Sequence, residues 1–100
     1  MPDWQTKTTD ETRNIEKVLG AEFPRSDAYR FNSASIRVRV IDDRFEGKSM
    51  AEREAMVFPL LKKLPKKTRD DILVLLTLAP SERKQDLMNL EFEQPLPSRF

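Results

Sequence analysis

The most regular pattern in the chain runs from Ile36 to Val40, where Ile36, Val38 and Val40 alternate with Arg37 and Arg39. A period of two sends successive side chains to opposite faces of a strand. One face is therefore expected to be buried, and the other to show two arginines to water. Tyr29 and Phe31 alternate with Arg30 in the same way, so residues 27–32 read as a second, shorter strand. Asn32-Ser33-Ala34-Ser35 is turn chemistry, and the two strands are predicted to form a hairpin. Within it, Tyr29 and Phe31 are expected to enter the core and Arg30 to stay outside.

Elsewhere the period lengthens. Thr8 and Glu11 form a T-x-x-E capping box, and Ile15, Val18 and Leu19 follow at helical spacing. Gly20 suits a left-handed residue past the helix end, which predicts a helix over 9–19. Ser49 and Glu52 form a second box, and Val57, Leu60, Leu61 and Leu64 supply an apolar stripe behind it. Pro59 inside that run predicts a kink or a break, and Pro65 ends it.

The run Ile72–Leu78 is almost entirely apolar and short, which predicts a strand covered on both faces. Strict alternation points Ile72, Val74, Leu76 and Leu78 one way, and Leu73 and Leu75 the other. One set would meet the helices. Leu87, Met88, Leu90 and Phe92 are the chain's own candidates to cover the other set. Pro80 suits the first position of a short helix over 80–89. Beyond it, the segment reads either as extended and docked or as a loose tail.

The order helix, strand, strand, helix, strand implies an α+β fold with the helices on one face of a three-stranded sheet. The expected organisation is a flexible N-terminus over 1–8, a domain over 9–79 and a C-terminal helix or extended segment over 80–100 packed on the sheet. Trp4 is either a loose end or a docking anchor.

Composition narrows the chemistry. The chain has 100 residues, with 18 Lys and Arg against 17 Asp and Glu, so it carries no strong global field. It has no Cys and no His. Thiol catalysis, thiolate ligands and the usual general base are therefore missing, and neither a cofactor nor a soft-metal site is expected. Asp42, Asp43, Glu46, Asp70 and Asp71 are carboxylates, but Arg44, Lys48 and Arg69 flank them, so ion pairs are expected before acid–base work. A hard-metal oxygen site at Asp42-Asp43 matches no calcium-loop spacing. No apolar run approaches a membrane span, and the expected location is cytoplasmic.

Phe45-Glu46-Gly47-Lys48-Ser49 joins a strand to a helix. A glycine beside a helix N-terminus exposes amides to an anion, but one glycine is not a phosphate loop, and Glu46 adds a negative charge. The corner reads as a turn and cap built by Phe45, Gly47, Ser49, Glu52 and Arg53. Candidate nucleic-acid contacts are Arg30, Arg37 and Arg39 on the hairpin and Lys62, Lys63, Lys66, Lys67 and Arg69 beyond the second helix. The lysines read equally as a solvated helix end.

The stretch "IRVRVIDDRFEGKSMAERE", followed by an apolar strand and "APSE", resembles BolA-like proteins. Phe45, Gly47, Ser49, Arg53 and Pro80 fall on that family's pattern, over roughly residues 10–82. The resemblance implies an α-β-β-α-β fold related to one type of KH domain. The family's histidines fall at Glu54 and near Asp71 here, and the arginine after the first of them is Ala55. The ligands with which the family shares an iron–sulfur cluster with monothiol glutaredoxins are thus missing. The resulting expectation is a small non-enzymatic BolA-like domain that binds a protein partner, as a monomer or weak homodimer. The alternative is a nucleic-acid-binding or transcription-regulatory module using the arginines and lysines named above.

Overall fold

The computed structural model describes residues 8–82 together with Asn89 and Phe92. In chain order these residues form α1 (Asp10–Gly20), β1 (Ser26–Asn32), β2 (Ser35–Ile41), a 3₁₀ turn (Asp43–Phe45), α2 (Met50–Leu61), α3 (Lys66–Asp71), β3 (Ile72–Leu78) and a second 3₁₀ turn (Pro80–Glu82). Among the described residues no helix is long and apolar enough to cross a membrane.

The hairpin turns over Ser33 and Ala34, and the Asn32 side chain accepts from the Ala34 amide at 2.9 Å. β2 lies at the centre of the sheet, antiparallel to β1 and parallel to β3. A parallel step needs a crossover, and α2 and α3 supply it. Ile36, Val38 and Val40 are fully buried against Ile15 and Leu19 of α1 and Val57 and Leu61 of α2. Full burial of each such side chain is worth roughly 1.5–3 kcal/mol, so this face of β2 anchors the fold.

The other face differs from the expectation. The register sets Tyr29 opposite Arg37 and Ala28 opposite Val38. Residues directly opposed in a pair share a face. Ala28 therefore enters the helix-side core, while Tyr29 and Phe31 join Arg37 and Arg39 on the far side. The helix side takes the small residue of β1 because α1 packs closely there. Arg39 is not shown to water either: it is 4% exposed. Its guanidinium lies over the Phe92 ring, and Tyr29 meets that ring edge-on at 4.8 Å. Arg39 also donates to Asn89 at 2.8 Å. Asn89 and Phe92 have helical backbone. Phe92 thus packs on the outer face against Tyr29 and Phe31 of β1 and Arg39 of β2, apart from the cluster of Ile41, Leu76 and Leu78, while Leu87, Met88 and Leu90 lie outside the described residues, as does Trp4.

Strand β3 spans Ile72–Leu78 but does not alternate strictly. Ile36 pairs with Ile72 and Arg37 with Val74, so Leu73 is an extra residue in the ladder. Ile72 and Leu75 therefore both meet the helix-side core, and Leu76 and Leu78 join Ile41 on the outer face. Leu73 is left 67% exposed.

Local signals differ in several places. The first box is formed by Thr9 and Thr12, not Thr8 and Glu11. The Thr9 amide donates to the Thr12 hydroxyl at 2.8 Å, and Glu11 pairs with Arg30 instead. Gly20 ends α1 without left-handed backbone, because the chain leaves through a right-handed Ala21 and the Phe23 amide returns to the Leu19 carbonyl at 2.7 Å. α2 continues through Pro59 to Leu61 without a break. Past Pro65 a short α3 follows, anchored by buried Thr68, where no helix was anticipated. Pro80 begins a 3₁₀ turn, and the rest of the helix expected over 80–89 lies outside the described residues, apart from the helical Asn89.

Candidate protein-binding groove

The strand-to-helix corner holds itself together. Asp42 caps the first 3₁₀ turn by accepting from the Arg44 amide at 2.8 Å. The Arg44 guanidinium also reaches Asp42 and Glu22, and its hydrogen bond holds the Asp42 carboxyl below its ordinary value. Gly47 takes φ +73°, the one positive φ among the described residues. Ser49 accepts from the Glu52 amide at 3.2 Å, and Glu52 accepts in return from the Ser49 amide at 2.9 Å. That backbone bond lowers the Glu52 pKa. Buried Phe45 stacks on Phe23 at 5.6 Å between centroids.

Arg53 extends the corner to β3. Its Nε donates to the Lys48 carbonyl at 3.0 Å, and Nη1 donates to the Thr77 carbonyl at 2.9 Å. Nη1 and Nη2 close on the two carboxylate oxygens of Glu82 at 2.7 and 2.9 Å. Ser81 donates to Glu46 at 2.8 Å beside them. Asp42, Arg44, Glu46 and Arg53 of the corner are therefore engaged within the chain. Among the described residues no three carboxylates gather to hold a metal ion.

The basic candidates separate in space. Arg30 leaves the other arginines and pairs with Glu11 and Asp71 on the helix side of the sheet. Arg37 lies over the Phe31 ring and donates to the Tyr29 hydroxyl at 3.2 Å. Arg39 is held by Asp27 at 2.7 Å. Lys62, Lys63, Lys66 and Lys67 are exposed, with Lys66 paired to Asp70 one turn on. Of all the candidates, only Lys62 and Arg69 reach the surface feature described next.

That feature is a cleft of about 550 Å³ between α2, α3 and β3. Leu61, Ile72 and Leu75 form its apolar part, and Glu54, Lys62 and Arg69 bring charge. Phe58 and Leu73 line it while 46% and 67% exposed. Sequence reasoning missed Phe58 because it lies off the stripe of Val57, Leu60, Leu61 and Leu64 that packs inward. A large apolar residue outside the buried stripe was the available signal. At the positions where the resembled family carries histidine, Glu54 lines the cleft and Asp71 pairs with Arg30.

No family model matches the chain, and no curated protein matches it. Solved structures do. BolA1 from Arabidopsis thaliana superposes with a TM-score of 0.58 at 16% identity, covering 75% of this chain and 98% of that one. The BolA domain of SufE1 from Arabidopsis thaliana gives a TM-score of 0.57 at 17% identity, with the same coverage of both chains. Identities this low speak to architecture alone, and the architecture is a BolA-like α+β fold.

Proposed function

We propose that this chain is a non-enzymatic binding domain that holds a protein partner in the cleft between α2, α3 and β3. The observation that carries the reading is the convergence of Phe58 and Leu73, both exposed, on one cleft with an apolar floor. Exposed apolar side chains gathered in a polar-rimmed depression favour docking over isolated solvent contact. The absence of His and Cys from the sequence supports the non-enzymatic part. So does the commitment of Asp42 and Glu82 to arginine partners. The test is capture from nuclease-treated lysate by wild type and by Phe58→Asp/Leu73→Asp. A protein retained by the first and lost by the second is expected. Identical capture by both would overturn the reading.

A second reading is nucleic-acid binding through Lys62, Lys63, Lys66 and Lys67. Their exposure within six residues that contain no acid favours it. Arg37 and Arg39 do not support it, since their guanidinium groups already engage Tyr29, Phe31, Asp27 and Asn89.

A further inference from the structure

Three large apolar side chains are exposed among the described residues: Met50, Phe58 and Leu73. Two of them line the cleft. Along α2, Met50, Glu54, Phe58 and Lys62 recur every four residues, which places them along one side of the helix and its last turn. Glu54 lies one turn before Phe58 and Lys62 one turn after. Among the described residues neither Glu54 nor Lys62 has an ion-pair partner.

We propose that the cleft is filled by a second copy of this chain, with the two α2 helices antiparallel about a two-fold axis beside Phe58. The proposal rests on the reading of the cleft as a protein-binding surface and names its occupant. An isologous contact must be self-complementary, so that residue i meets j and j meets i. Antiparallel pairing centred on Phe58 meets that condition. Glu54 of each chain faces Lys62 of the other, and the two Phe58 rings and Leu73 side chains cover one another. Arg69, on the same cleft, adds a cation within reach of the incoming Glu54. A uniformly acidic peptide fits less well, because Glu54 stands in the cleft and would repel it. Addition of a strand to the free edge of β3 is also disfavoured, because the extra residue at Leu73 disrupts that edge. One helix and a strand edge make a small interface, so the dimer is weak and concentration-dependent.

Sedimentation of the full chain from micromolar to millimolar concentration tests this. Wild type is expected to pass from monomer to dimer. Glu54→Lys and Lys62→Glu should each weaken the dimer about tenfold, because each change enters twice about the axis and replaces attraction by repulsion. Mixing these two variants should restore association, since both cross-chain pairs then have opposite charges. The double variant should recover it as well. Circular dichroism of each variant separates loss of association from loss of fold. A wild-type chain that stays monomeric at millimolar concentration overturns the proposal, as does a mixture no stickier than its components. If the chain stays monomeric while Phe58→Asp/Leu73→Asp still loses a captured protein, the two-fold contact falls and the cleft reading stands.

Discussion

Arg53 meets Glu82 through two parallel hydrogen bonds, 2.7 and 2.9 Å long, and so ties the first turns of α2 to the end of β3. The arginine is 7% exposed. It satisfies two backbone carbonyls, at Lys48 and Thr77, besides the carboxylate. A planar fork suits this site, and a lysine could make only part of it.

Removing Arg53 leaves those acceptors and a carboxylate without their partner. Arg53→Ala is expected to cost about 3 kcal/mol in a denaturant titration, and Arg53→Lys less. The pH dependence follows from Glu82. Arg53 holds its carboxyl at about 2, below an ordinary value of 4.5. A depressed acid contributes stability above its unfolded pKa and loses it as pH falls through the folded one. The contribution should therefore be full above about pH 4.5 and fade towards pH 2. Glu82 is 39% exposed, so solvent screening limits the effect to about 1 kcal/mol. A Glu82→Gln variant with an unchanged acid limb would contradict this account.

The two glycines should respond in opposite directions. Gly47 has φ +73°, and a Cβ there would meet nothing within 4 Å. Gly47→Ala therefore pays for backbone strain alone, about 1–2 kcal/mol. Gly20 has no such φ and equally open space. Gly20→Ala should be neutral or stabilising by about 0.5–1 kcal/mol. Melting temperatures of the two variants, measured side by side, decide the matter.

Phe92 is 2% exposed, packed on Tyr29 and under Arg39. Phe92→Ala should cost about 3 kcal/mol, and deletion of residues 86–100 should lower stability and promote association. Chemical denaturation and light scattering measure the two effects. A truncated chain that is equally stable and monomeric would mean that the outer face does not depend on this cover.

Nucleic-acid binding is best tested at the lysines. Arg37→Glu and Arg39→Glu would disturb the contacts to Tyr29 and Asp27, confounding binding with folding. Replacing Lys62, Lys63, Lys66 and Lys67 by Glu changes exposed side chains and, of the described ion pairs, breaks only the surface pair of Lys66 with Asp70. Any phosphate contacts should give an affinity for labelled single-stranded RNA or duplex DNA that falls steeply with salt and is lost in this variant. No binding at low salt removes the second reading.

The local sequence determined the elements that a short stretch of backbone can specify alone. Ser49 and Glu52 cap α2 because both partners lie within one turn. Ile36–Val40 forms a strand because its period of two has no helical equivalent. Ile72–Leu78 is bounded by charge and proline, and its limits could be read directly. What the sequence could not decide was how faces and partners combine across the fold. Tyr29 lies on the arginine side because the hairpin register sets it opposite Arg37, and Phe31 joins it there under the Arg37 guanidinium, not because of their hydrophobicity. Arg30 is parted from Arg37 and Arg39 by the same pleat. The extra residue at Leu73 is invisible in a uniformly apolar run, since one more leucine changes no local pattern. Glu82 finds Arg53 across 29 residues, and Phe58 reaches Leu73 only when α2 and β3 fold side by side. Such contacts depend on the register and crossing of distant elements, which only the assembled core fixes.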